Sequence, residues 1–219
     1  MCFDVSAACS GFITALDIAA SMLKAGSYKY ALVIGSEKMS EIVNWKDRSV
    51  CVLFGDGAGA VVLKAVDNNT EDVTGALVGH ERGIIDSNIY NDGTGASVLT
   101  GGRRFSDSCS TDIFIHMDGQ EVFKFAVKSV PTAIETLLHN NNMDINEVDK
   151  FILHQANVRI IESVAKRLKA DKDKFPVNLN EYGNTSSASI PILLDELNRN
   201  GSLKPVSYTH LRAHETGRN

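Results

Sequence analysis

The sequence predicts an α/β protein made of two strand–helix halves. Short apolar runs suited to buried strands occur at residues 30–35 and 151–153. Apolar residues recur at three- and four-residue steps over 12–23, 122–138 and 158–168, the spacing of one helix face. Small-residue junctions link the two kinds of segment. A chain of 219 residues with 43% hydrophobic content is large enough for a real core, as one large or two small domains.

The opening run Met1-Cys2-Phe3-Asp4-Val5 reads as a buried strand. A helix is predicted from about Cys9 to Ala25 on the stripe Phe12, Ile13, Leu16, Ile18, Ala19, Ala20, Met22 and Leu23, ended by Gly26. Tyr30-Ala31-Leu32-Val33-Ile34-Gly35 suits a buried parallel strand and completes a βαβ unit. A loop around Asn44-Trp45-Lys46-Asp47-Arg48 leads to Val50-Cys51-Val52-Leu53-Phe54, a glycine-rich stretch, and the apolar run Val61-Val62-Leu63. Gly55, Gly57 and Gly59 lead into a strand, and no Gly-Lys-Ser/Thr follows, so they predict a tight turn and close backbone approach rather than a nucleotide cradle. Residues 67–72 read as a turn and 83–112 as a long Gly/Ser/Asn-rich excursion. The second half begins near Asp118 with a helix carrying Pro131 as a kink. A compact strand Phe151-Ile152-Leu153-His154 follows, then a helix over 158–168 and a last helix from about Ser187 to Asn200, closed by Gly201. The two halves suggest an internal duplication, although no repeat is visible residue by residue.

A net charge of −5 argues against a general nucleic-acid binder. Between residues 159 and 174, six basic residues face three acidic ones, a local balance of +3 that suits either an acidic partner or a solvated helix face. No apolar run approaches the ~18–20 residues of a membrane span, and the first residues lack a leader pattern. A cytoplasmic setting is expected. Cys2, Cys9, Cys51 and Cys109 are too dispersed for a zinc site or a disulfide scaffold and read as reduced thiols.

Three junctions hold candidate chemistry. Cys9 stands where small residues pass into a helix, and unpaired N–H groups with the positive end of the macrodipole would favour its thiolate. The plain alternative is a small buried hydrophobe. His154 terminates an apolar strand, at the carboxyl edge where open α/β sheets place ligands, but it also fits a structural histidine. Asn184, in Tyr182-Gly183-Asn184-Thr185-Ser186-Ser187-Ala188-Ser189, offers an uncharged NH₂ donor or a helix cap. All three stand at junctions leading into helices, which points to one site. The chain order Cys, His, Asn also occurs in papain-like cysteine peptidases, but no Cys-Gly-Ser-Cys-Trp-like site is present. A non-catalytic binding or scaffolding fragment is the third reading.

The run 4–12, Phe54-Gly55-Asp56-Gly57-Ala58-Gly59-Ala60, His154-Gln155-Ala156-Asn157-Val158-Arg159-Ile160-Ile161 and Gly183-Asn184-Thr185-Ser186-Ser187-Ala188-Ser189 resemble β-ketoacyl-[acyl-carrier-protein] synthase III, the initiating condensing enzymes of bacterial fatty-acid synthesis. The resemblance covers nearly all of residues 1–205. It implies a thiolase-like duplicated α-β-α-β-α layered fold, a cytoplasmic bacterial enzyme and a homodimer in the full-length protein. It also implies a catalytic set of Cys9, His154 and Asn184, acyl-CoA and malonyl-[acyl-carrier-protein] as substrates, no cofactor and no metal, and neither membrane nor nucleic acid as partner. By motif, Arg48 resembles the contact to the CoA nucleotide, Phe54 a wall of the acyl pocket, and Gly119 and Asn157 contacts along the pantetheine arm. Lys124, Arg159, Lys166 and Arg167 resemble the basic surface on which the acidic carrier docks.

Relatives of this kind are longer at both ends. Residues 1–112 are therefore expected to be the remainder of an N-terminal thiolase-like half with its long loop, and 113–205 a C-terminal half lacking its last strands. Residues 206–219 read as a polar, non-native tail with no strand, and His210 and His214 lack a third ligand for a metal site. The family's Phe-Gly-Gly-Gly-like loop is absent after Pro205. Its backbone N–H helps form the oxyanion hole, so weak or no activity is expected of this polypeptide.

Overall fold

The computed structural model describes residues 1–66, 83–101 and 114–203, together with the backbone of Thr209–Arg212. The predicted turn at 67–72 and the 102–112 part of the long excursion lie outside the described residues. Met1 to Val5 run without strand pairing, contrary to expectation, since no strand among the described residues meets them. A 3-10 turn over Ala8–Ser10 leads straight into helix α1, Gly11–Lys24. Gly26, at φ +75°, follows that helix as predicted, in the left-handed region that glycine reaches without strain.

Strand β1, Tyr30–Glu37, pairs antiparallel with β2, Gly57–Lys64, from Tyr30 opposite Lys64 to Glu37 opposite Gly57. The predicted parallel, fully buried strand is therefore corrected on both counts. Val33 is buried against α1 and the last helix, while Tyr30, Leu32 and Ile34 lie on the exposed face with Val62 of β2. Both faces of β1 are apolar, so its alternation of burial leaves no trace in the sequence. Short strands β3, Leu99–Thr100, and β4, His116–Met117, pair antiparallel beyond this ladder.

Helix α2, Gly119–Asn140, is started by Asp118, whose carboxylate accepts from the N–H groups of Gln120 and Glu121, and it contains Pro131. Strand β5, Lys150–Leu153, has a core on each side. Phe151 belongs to the cluster formed with α2 and α3, Val158–Leu168, where it stacks on Phe175 at a centroid distance of 4.6 Å. Ile152 belongs to the opposite cluster, with Phe12, Val33, Ile190 and Leu193. Burial on both faces explains why this segment is apolar throughout. A single helical turn, α4, spans Leu179–Tyr182, and a 3-10 turn at Ser186–Ala188 precedes α5, Ser189–Arg199, with Gly201 just beyond at φ +75°.

The tail differs from expectation. Strand β6, Thr209–Arg212, runs parallel to β5, with Lys150 opposite Thr209 and Leu153 opposite Arg212. Backbone pairing with β5 defines this strand, and its four residues show no apolar run that would have announced it.

The close backbone approach expected between neighbouring strands is made instead to the segment around Tyr182 and Ile192, and Gly57 and Gly59 lie within β2 rather than in a tight turn. A Cβ at Gly55 would lie 2.1 Å from the Tyr182 carbonyl oxygen, and one at Gly59 2.9 Å from the Ile192 nitrogen. Gly35 is similar, with the Ser187 carbonyl oxygen at 2.8 Å. These glycines let the first half approach the backbone that carries Asn184 and the start of α5.

Candidate active site

The starts of three helices and the ends of several strands, β1, β4 and β5 among them, surround a cavity of about 500 Å³, within the usual range for a ligand site. Cys9, His154, Asn184, Phe54, Gly119 and Asn157 all line it. Each position has a local cause. Cys9 sits in the turn before α1, after Ala8 at φ +41°, a conformation that costs a non-glycine residue energy and is held by its surroundings. Gly119 is the first residue of α2, next to the Asp118 cap. Asn157 caps α3 by accepting from the Arg159 N–H at 2.9 Å, which leaves its NH₂ group for the cavity.

Asn184 is clamped by backbone. Its N–H donates to the Leu53 carbonyl at 2.8 Å and its carbonyl accepts from the Gly55 N–H at 3.0 Å, a bridge that also seats Phe54. Its side-chain oxygen accepts from the Ser186 N–H at 2.9 Å. The carboxamide is thereby oriented with its oxygen occupied and its NH₂ available. The expected turn role is seen in that hydrogen bond, and it leaves the NH₂ group that the expected donor role would use.

His154 follows β5 directly. Its Nδ1 lies 2.7 Å from the Ser189 hydroxyl. Burial lowers its imidazole to about 4, because a cation is poorly solvated there, so the ring is neutral at physiological pH. The next residue, Gln155, is fully buried and ties this junction to the 176–178 segment, donating to the Pro176 carbonyl and accepting from the Asn178 N–H.

Two residues not singled out from the sequence belong to the site. The Ser186 hydroxyl donates to the Cys9 sulfur at 3.5 Å, from a residue that is itself at φ +50°. Ser189 contacts His154. Both stand in the Ser-Ser-Ala-Ser run that opens the last helix, where hydroxyls look like ordinary caps. Their signal was the spacing of three, which suits one side of a helix start.

The remaining candidates lie outside the cavity. Arg48 is exposed on the 44–50 loop, and the neighbouring Ser49 is the residue that lines the cavity. Lys124 is exposed on α2, paired with Glu121 at 2.6 Å. Arg159, Lys166 and Arg167 are exposed on α3, where Arg167 reaches the Val127 carbonyl of α2 at 3.5 Å. The four cations therefore occupy two adjacent helices. No helix among the described residues is long and apolar enough to cross a membrane.

Comparison with known proteins identifies the family. Residues 3–93 match the model of 3-oxoacyl-[acyl-carrier-protein] synthase III, and residues 138–217 match that of its C-terminal part, a stretch that includes β6. The β-ketoacyl-[acyl-carrier-protein] synthase III of Clostridium acetobutylicum is 44% identical over 209 residues, covering 93% of this chain and 60% of that protein. A counterpart from Clostridium botulinum is 46% identical over 210 residues, with the same coverage. The chain thus spans about 60% of the length of the curated relatives it matches. The crystal structure of the synthase III of Aquifex aeolicus superposes with a TM-score of 0.83 at 42% identity, covering 98% of this chain and 63% of that one. That of Pseudomonas aeruginosa gives 0.82 at 33% identity, covering 95% and 61%. The thiolase-like architecture expected from the motifs is the fold of these structures. With both family models matched in order along the sequence, the chain belongs to the 3-oxoacyl-[acyl-carrier-protein] synthase III family.

Proposed function

We propose that this protein catalyses the initiating condensation of fatty-acid synthesis, joining an acyl-CoA, acetyl-CoA in the simplest case, to malonyl-[acyl-carrier-protein]. The observation that carries this reading is the meeting of Cys9, His154 and Asn184 on one cavity. The helix start behind Cys9 and the Ser186 hydroxyl favour a thiolate, the form that attacks. Attack on the acyl-CoA carbonyl forms a Cys9 thioester as the bond to the CoA sulfur breaks and CoA leaves. Malonyl thioester then loses CO₂, and the electron pair of the broken C–C bond moves into an enolate. The developing negative charge falls on the thioester oxygen. His154, neutral and therefore a donor that carries no charge of its own, and the free NH₂ of Asn184 hydrogen-bond to that oxygen. The enolate carbon attacks the acyl group on Cys9, the thiolate departs, and a β-ketoacyl thioester results.

No cofactor is required, since every step moves electron pairs between substrates and the thiol. The exposed cations Lys124, Arg159, Lys166 and Arg167 are the docking face for an acidic carrier protein, and Arg48, at the outer edge, meets the CoA nucleotide. Phe54 walls the acyl group, while Gly119 and Asn157 flank the pantetheine arm. The peptidase alternative fares worse. A histidine whose imidazole stays neutral down to about 4 is a poor general base for activating a thiol at pH 7. A binding-only role leaves the nucleophile and its aligned donors without a purpose.

The test is mass spectrometry of the protein after incubation with acetyl-CoA. One acetyl adduct on Cys9, lost in Cys9→Ala, is expected. Absence of the adduct both here and in a version extended to the full length of the relatives would overturn the reading.

A further inference from the structure

We propose that Ser189 is a positioning residue: by donating its hydroxyl proton to Nδ1 of His154, it fixes the imidazole as the Nε2–H tautomer and leaves that N–H for the cavity. The inference deepens the condensing reading above and rests on it for its catalytic meaning. A neutral imidazole carries one proton on either nitrogen, and the partner of the other nitrogen decides which. Only the Nε2–H form gives the cavity a donor. With a bare Nε2, the ring would present a lone pair to an enolate oxygen and repel it.

The direction of the Ser189 hydrogen bond follows from what surrounds the hydroxyl. Ser189 is 3% exposed, at the first position of α5, so water does not compete freely for it. Its oxygen accepts from the backbone N–H of Gln155 at 3.3 Å, which occupies one lone pair. Its single proton needs an acceptor, and His154 Nδ1 lies within hydrogen-bond distance, at 2.7 Å. Gln155 N–H, Ser189 O–H and His154 Nδ1 thus form a directed chain, each donor passing to the next acceptor. The burial that keeps the ring neutral is what makes the choice of tautomer matter. Gln155 follows β5 and Ser189 opens α5, so this chain of hydrogen bonds joins the two elements beside the ring.

The test reads the tautomer directly. In the chain labelled with ¹⁵N-histidine, the resonance lost in His154→Gln identifies His154. The wild type is expected to show Nε2 protonated and Nδ1 bare, and Ser189→Thr, which keeps the hydroxyl, is expected to show the same. Ser189→Ala is expected to give a mixture of tautomers or the Nδ1–H form. A protonated Nδ1 in the wild type, or an unchanged Nε2–H signature in a folded Ser189→Ala, overturns the proposal. If Ser189→Ala does not fold, the wild-type and Ser189→Thr spectra decide alone. In a version that carries activity, Ser189→Ala should decarboxylate malonyl thioester about tenfold to a hundredfold more slowly with little change in KM, less than the loss of a whole donor, and Ser189→Thr should recover most of the rate. The spectra need no turnover. A Cys9 adduct missing both here and in the full-length version, beside an Nε2–H His154, would therefore reject the condensing reading and keep the tautomer, and the reverse pair of results would do the opposite.

Discussion

The Ser186 hydroxyl meets the Cys9 sulfur at 3.5 Å across 177 positions of sequence. The same serine's N–H holds the Asn184 carboxamide, so one residue ties Cys9 to Asn184, the proposed nucleophile to a proposed donor. Ser186→Ala keeps the backbone contact and removes only the hydroxyl. Acylation of Cys9, followed as the rate of thiol loss at neutral pH, is expected to slow by roughly 10- to 150-fold, the range of a hydrogen bond to a charged group worth ~1.5–3 kcal/mol. An unchanged rate would mean the hydroxyl does not support the thiolate.

Removal of either donor should strike decarboxylation rather than acylation. His154→Ala and Asn184→Ala are each expected to lower malonyl decarboxylation by about 10²- to 10³-fold, the usual cost of losing one donor to a developing oxyanion. Acetyl transfer to Cys9 should survive in both. Loss of both steps together in a variant with intact circular dichroism would argue that the two side chains serve the sulfur instead.

Stability should fall as the solution is acidified from pH 6.5 towards 4. The His154 imidazole is lowered to about 4 in the folded protein and returns to 6.5 on unfolding, so across that window the unfolded state binds more protons. The contribution is complete above 6.5 and is worth about 2 kcal/mol less at pH 5. Urea unfolding of the wild type at pH 7 and pH 5 should show this difference. His154→Gln, which has no proton to gain, should flatten that part of the curve.

Alanine at Gly55 should be among the more damaging small changes. Its Cβ would stand 2.1 Å from a backbone oxygen, that of Tyr182, with no flexible side chain to yield. A loss of about 1–3 kcal/mol or more is expected, seen as a fall in Tm of several degrees. Gly93→Ala, where nothing lies within 4 Å of the added carbon, is the matched control and should change little.

Reversing the charge of the docking helix should weaken carrier binding without touching the cavity. Lys166→Glu with Arg167→Glu is expected to reduce affinity for an acidic carrier protein, measured by calorimetry. The wild-type affinity should itself fall with added salt, because exposed charges are screened over about 10 Å at 0.1 M. Affinity that ignores both salt and charge reversal would locate docking elsewhere.

What the sequence displayed was whatever depends on neighbours a few residues apart. The stripes behind α1, α2 and α3 were legible, as was the β5–His154 junction, because local periodicity and an abrupt change of residue type mark them. Pairing partners were not. The run ending at Gly35 looked like an inner parallel strand because Leu32 and Ile34 are as apolar on the open face as Val33 is on the closed one. The strand at Thr209–Arg212 was invisible because backbone pairing with Lys150–Leu153, rather than composition, creates it. In the site, Cys9, His154 and Asn184 each carried a signature as residue types at junctions. Ser186 and Ser189 did not, since a hydroxyl at a helix start has an ordinary use, and only their distances to sulfur and imidazole reveal another.

Cys9 precedes α1 while His154 and Asn184 stand beyond α2, yet all three line one cavity within a single polypeptide. On the roles proposed for them, copies of this chain are expected not to complement one another genetically at this site. A cell carrying one allele defective at Cys9 and another defective at His154 gains nothing from both proteins being present, however closely the copies associate, because neither can lend the other its missing side chain.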